Sequence, residues 1–212
     1  MTFPQDKGTE ITLAIVRAIR ENRDYLSEVD GLIGDGDHGV NMNKGFSMYA
    51  EKIAGQKLGV SEAFKLLGRT LLGDIGGSMG PLYGTFFIEM SKKARGAEAI
   101  DAPLFAAMLG AARDGIFQLG GAKVGDKTLM DALVPAADGF AAAVAEGRRF
   151  DEALAAMKAA ARAGRDSTRD LVAKIGRASR LGERSLGVLD AGAVSCCLIL
   201  CAMADAIAPI LE

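Results

Sequence analysis

The stretch DGLIGDGDHGV brings Asp30, Asp35 and Asp37 together beside the chain's only histidine, His38. Three carboxylates gathered on a glycine-rich turn repel one another unless a cation or solvent compensates them. They are hard oxygen donors with no cysteine or second histidine nearby, a pattern that suits Mg²⁺ better than zinc or copper. Three aspartates have the capacity for two such ions, each completing its shell with waters and substrate phosphates. A calcium EF-hand register started at Asp35 fails twice, because Val40 stands where glycine is needed and Phe46 where a bidentate glutamate is needed. A helix beginning just after His38 turns its free N–H groups and positive dipole end toward the same phosphates. The same residues also read as an acidic helix cap on a solvated turn. His38 fits a ligand contact, a packed or capping residue, or a phosphohistidine carrier.

A second stretch, DIGGSMG at residues 74 to 80, offers backbone N–H groups and the Ser78 hydroxyl, which suit a phosphate and an ordinary tight turn equally. It is neither a P-loop nor a dinucleotide fingerprint, since it has no GxxxxGK[ST] and no preceding strand. Lys127, Arg177, Arg180 and Arg184 supply positive charge in two later polar stretches.

These stretches are punctuation between helices. Ile11, Ile15, Ile19, Leu26 and Val29 recur at three- and four-residue spacing and predict one amphipathic helix from about Thr9 to Val29. Met42, Phe46, Tyr49 and Ile53 mark a second helix. Ser61 is the expected N-cap of a third, with Ala63, Phe64, Leu67, Leu71 and Leu72 as its buried stripe. Pro81 opens a fourth, Asp101 caps a fifth reaching Leu119, and Asp126 caps a sixth in which Pro135 is expected to bend the axis. Asp151 opens a seventh running to about Asp170, and an apolar eighth runs from Ala191 to about Ile210. No stretch alternates as a strand does. The expectation is a single all-α domain over residues 1–212, an eight-helix antiparallel up-and-down bundle or barrel. Alternate junctions of such a bundle lie at the same end. The glycine-bearing polar loops all follow odd-numbered helices, so they meet at one end.

With 212 residues, 50% of them hydrophobic, the chain is long enough for one sizeable core. A formal net charge of −2 provides no basic field for nucleic acid or an anionic membrane surface. No run reaches the roughly 18 uninterrupted apolar residues of a membrane span, and MTFPQDKGTE lacks the apolar core of a signal peptide. The expected location is the cytoplasm. Cys196, Cys197 and Cys201 crowd into one apolar segment and read as small buried residues of a reduced protein.

GDGDHGVNMNKGF, GGSMGPLYGTFF, GDKTLMDALVPA and GRASRLGERSLGVLDAGA, in this order and at these separations, closely resemble the L subunit of dihydroxyacetone kinase over nearly the whole chain. The resemblance implies an eight-helix barrel with ADP or ATP bound at one end. Asp30, Asp35 and Asp37 match the family's ligands for two Mg²⁺ ions. His38, Gly39 and Asn41 match contacts at the following helix start, and Ser78 and Met79 match a phosphate loop. Gly120 and Leu129 match positions lining the nucleotide pocket. Arg177, the residue it points to for catalysis, matches the closing loop together with Asp190 and Gly192. Two departures stand out: Met79 where the family usually has a small polar residue, and DAGA at Asp190 to Ala193 where it usually has DPGA.

In this family the ketose is held by a histidine of a separate K subunit or domain. The implied partners are therefore such a K subunit and, for the phosphotransferase-dependent kind, a phosphohistidine M-type protein that rephosphorylates bound ADP. The GERS sequence at Gly182 to Ser185 favours that kind. ATP-dependent relatives, acting on dihydroxyacetone, erythrulose or another ketose, form the alternative. A non-catalytic regulator that binds a transcription factor, a plain helical scaffold, and a homodimer of the chain also fit.

Overall fold

Helix formation follows the apolar period. Ile11, Ile15 and Ile19 are fully buried and fall on one face of α1 (Gly8–Glu21). In the computed structural model, which describes residues 1–212, the apolar period continues into α2 (Arg23–Ile33), where Leu26 and Val29 are buried. The single helix expected from Thr9 to Val29 is thus two. Asn22 breaks it by donating its side-chain N–H to the Ala18 carbonyl at 2.8 Å, which competes with the helical ladder.

The chain continues through α3 (His38–Lys52), α4 (Val60–Asp74), α5 (Met79–Ala94), α6 (Ala102–Gly120), α7 (Met130–Ala145), α8 (Phe150–Ser167) and α9 (Ala191–Ile207). Asp101 caps α6 as expected, accepting the Leu104 N–H at 2.8 Å. Two other expected caps do not form. Helix α4 starts one residue before Ser61, whose hydroxyl instead donates to the Ser91 carbonyl of α5 at 2.9 Å. Asp126 accepts from the Lys123 N–H at 2.8 Å, and α7 begins only at Met130. Leu72, expected in the buried stripe of α4, is exposed in its last turn.

Consecutive helices from α3 to α9 pack against one another, α9 returns to α1, and α1 packs on α3 and α4. With α1 and α2 sharing one position, eight positions close a ring, which is the expected all-α barrel. Helix α9 and its continuation, Ala191–Ile210, have a mean hydropathy of 2.1 and are long and apolar enough to cross a membrane, yet they pack against α1, α7 and α8. Their length of apolar surface is met by other helices.

Two strands, which the sequence did not predict, close the far end. β1 (Thr2–Pro4) pairs antiparallel with β2 (Ala99–Asp101), placing Phe3 opposite Ile100. Three residues are too few for an alternating pattern to register. Phe3 packs edge-on to Phe105 at 6.3 Å and against Phe150 at 6.0 Å. The backbone of Thr2 exchanges hydrogen bonds with Glu212, so the two termini meet there.

Candidate functional site

The acidic turn is set by the end of α2. Asp30 lies in its last turn, Gly34 terminates it, and Gly36 takes φ +77° between Asp35 and Asp37. That geometry brings carboxylate oxygens of Asp30, Asp35 and Asp37 within 4.8 Å of one another. Asp30 also accepts the His38 N–H weakly, at 3.4 Å. At this spacing the charges repel one another unless a cation or solvent compensates them. The guanidinium of Arg177, reaching across from the segment between α8 and α9, touches Asp35 and supplies one positive charge. An all-oxygen donor set without thiolate or imidazole in the cluster fits a hard divalent ion such as Mg²⁺.

Four helices begin at this end. His38, Met79, Met130 and Ala191, the first residues of α3, α5, α7 and α9, all line one cavity of about 730 Å³. Free N–H groups and positive dipole ends therefore converge on a space that the aspartate cluster also lines. Asp30, Asp35, Asp37, His38, Asn41, Ser78, Met79, Gly120, Leu129, Arg177, Asp190 and Gly192 line this cavity. Gly39 does not. A Cβ there would stand 1.9 Å from the Arg23 carbonyl oxygen and 2.8 Å from the Ser27 backbone nitrogen, so Gly39 serves the contact between α2 and α3. Arg180 and Arg184 point to solvent and lie outside the lining.

The imidazole of His38 is held from behind. Its Nε2 lies 2.9 Å from Ser195 Oγ, which lies 2.6 Å from the buried Tyr83 hydroxyl, and Tyr83 donates to the Gly192 carbonyl at 3.1 Å. Burial pushes the His38 pKa down to about 4 against the attraction of Asp30, so the ring is neutral at pH 7. Ser195 and Tyr83 escaped the sequence reading. Their one signal was a hydroxyl set into each of the apolar runs AVSCCLIL and PLYGTFF.

Asp190 sits at the head of α9, accepting the Ala193 N–H at 2.7 Å. Burial pushes its pKa up to about 7; Asp131 and Asp30 push the same way, while Lys127 opposes them. The DAGA variant keeps this geometry. Asp190 is extended, with ψ 127°, and Ala191 takes the first helical position, where proline and alanine both fit.

Lys127 and Asp126 differ most from expectation. Lys127 reaches the cavity wall, but its ammonium turns inward to backbone carbonyls. Asp131, not Asp126, organises the turn before α7, accepting the N–H groups of Gly125 at 2.6 Å and Thr128 at 2.7 Å. Both residues were visible in GDKTLMDAL, but spacing does not say which carboxylate folds back.

A family model described as the DAK2 domain matches residues 32–205. The "PEP-dependent dihydroxyacetone kinase 1, ADP-binding subunit DhaL" of Listeria innocua is 38% identical over 96% of this chain and 97% of its own length. The "PEP-dependent dihydroxyacetone kinase, ADP-binding subunit DhaL" of Escherichia coli is 39% identical over 81% of this chain and 82% of its own. Among solved structures, the dihydroxyacetone kinase of C. freundii in complex with AMP-PNP and Mg²⁺ superposes with a TM-score of 0.70 at 25% identity, covering 97% of this chain. This chain spans 34% of that kinase chain.

Proposed function

The chain belongs to the DAK2 domain family, and from that membership we propose that it is the nucleotide-binding subunit of a dihydroxyacetone kinase, a phosphotransferase. The observation that carries this reading is the meeting, on one cavity, of four helix N-termini with a three-carboxylate cluster. A phosphate chain satisfies the first and its divalent ions satisfy the second, and neither group alone accounts for both.

Asp30, Asp35 and Asp37 would hold Mg²⁺, two ions on this reading, and bound Mg²⁺ neutralises charge on the transferring oxygens. The chain's own residues then bind and orient. N–H groups at the starts of α3 and α5, with Ser78, face the phosphates. Neutral His38, fixed by Ser195, presents its ring without adding a cation. Asn41 adds a polar contact to that wall, and Met79, Gly120, Leu129 and Gly192 shape the rest of the pocket. Arg177 covers the mouth beside Asp35, where it meets charge that develops on the transferred group.

The acceptor arrives on a second protein. Leu32, Val40, Leu72, Phe117, Leu119, Val124, Ile175 and Leu186 are exposed, and each lies in a helix turn or loop at the cavity end. Exposed apolar residues at that end fit a protein partner, here a ketose-binding K subunit, with an M-type phosphohistidine protein recharging bound ADP in the cytoplasm. A second reading, a subunit acting on another ketose with ATP, is favoured by "D-erythrulose kinase" of Mycolicibacterium smegmatis, 33% identical over 92% of this chain and 34% of its own length.

Calorimetry tests the site. ADP binding is expected to require Mg²⁺ and to vanish in Asp35→Ala; parent-like binding in that variant rejects the metal assignment. ADP released by denaturing the purified protein favours the phosphotransferase-dependent kind, whereas turnover of ATP on adding a K subunit favours the other.

A further inference from the structure

Lys127 is a buried cation for which the proposed chemistry has no use. It is 1% exposed and, at φ +62°, is the one non-glycine residue in the left-handed region. Such a conformation persists only where the surroundings over-determine it. Asp131 does so, pinning the N–H groups of Gly125 and Thr128 on either side.

The ammonium donates to four backbone carbonyls: Thr168 at 2.8 Å, Leu171 at 3.1 Å, Ser185 at 2.6 Å and Val188 at 2.6 Å. Three N–H groups shared among four acceptors leave none for a phosphate. The acceptors come in two pairs. Thr168 and Leu171 lie where the chain enters the segment between α8 and α9, Ser185 and Val188 where it leaves. Between them lies the loop that carries Arg177 to Asp35. One charge thus ties both stems of an Ω-type loop, which the Gly187 N–H also joins by donating to the Arg169 carbonyl at 2.8 Å. Asp190 is fixed at the same joint, its N–H donating to Thr168 Oγ1 at 3.0 Å. A buried charge is tolerated only when paired and hydrogen-bonded. Burial pulls the Lys127 pKa down, while Asp190 and Asp131 hold it up.

We propose that Lys127 is a positioning residue whose ammonium staples both stems of the 168–188 segment, setting Arg177 over the aspartate cluster and Asp190 at the head of α9. Only the consequence for Arg177 rests on reading the cavity as a Mg²⁺–nucleotide site; the closure of the loop base does not.

The test compares the full chain with Lys127→Met and Lys127→Gln by hydrogen–deuterium exchange without nucleotide. Amides of residues 171–188 are expected to exchange about tenfold faster or more in Lys127→Met, with α1, α4 and α5 unchanged. Lys127→Gln, which keeps two donors, is expected to recover part of the protection. Uniform acceleration across all helices, or none in 171–188, overturns the staple, and so does failure of both variants to fold. Binding of Mg²⁺ and ADP supplies the second readout: Lys127→Met and Arg177→Ala each weaken it about tenfold, and combining them adds no further loss. Additive losses overturn the positioning role. A parent chain that does not bind ADP with Mg²⁺ refutes the nucleotide reading instead, and the exchange result then decides the staple by itself.

Discussion

At the scale of single residues, the site is defined by how like charges are kept close. Asp190 has a raised pKa because burial disfavours its ionised form. The sign follows: a carboxylate whose folded pKa lies above its unfolded value contributes stability that is fully present below about pH 4 and is lost as pH rises through about 7. Asp190→Asn keeps an acceptor for the Ala193 N–H and removes the titration. The variant is expected to match the parent in thermal stability at low pH and exceed it at pH 8. Solvent in the cavity screens part of the effect, so the gain is set at about 1.4 kcal/mol, the value of one pKa unit. Melting curves at pH 4 and pH 8 without Mg²⁺ check it; equal melting temperatures at pH 8 remove Asp190 from the pH dependence.

At the scale of elements, the site depends on how closely α2 and α3 approach. Gly39 is matched by resemblance to a binding position, yet it packs α3 onto the Arg23 and Ser27 backbone of α2. A methyl group there meets backbone on both sides, and backbone cannot swing away as a flexible side chain does. Gly39→Ala is therefore expected to cost about 1–3 kcal/mol in urea unfolding. Because α3 would shift with its first residue, the binding of Mg²⁺ and ADP should weaken in parallel. Unchanged stability would show that the contact between α2 and α3 tolerates a methyl group at Gly39. The split between α1 and α2 acts at the same scale, since it turns Asp30 onto a helix of its own.

At the scale of the whole molecule, function and closure lie at opposite ends of the barrel. Helix N-termini, acids and exposed apolar residues gather at one end. Phe3, Phe105, Phe140 and Phe150 pack together with the β1–β2 pair and the joined termini at the other. The ends are predicted to be separable. Phe3→Ala should lower stability by about 3 kcal/mol, the usual cost of deleting a buried ring, while the affinity for ADP with Mg²⁺ stays within about twofold of the parent. A large loss of affinity in a folded Phe3→Ala variant would show the two ends to be coupled through the helices.

The amino-acid sequence by itself determined the helical period, the all-α ring and the loops that share an end, because these follow from local repetition and chain alternation. It also marked Asp30, Asp35 and Asp37, whose crowding is visible within eight residues. Only the tertiary structure decided that Lys127 faces inward, that Asp131 rather than Asp126 folds back, and that Ser195 and Tyr83 stand behind His38. The physical reason is common to all of these. Each is a hydrogen bond whose partner is chosen by geometry, and Lys127 and Ser185 are 58 positions apart in the chain. A sequence states which donors and acceptors exist, and packing alone decides which of them meet.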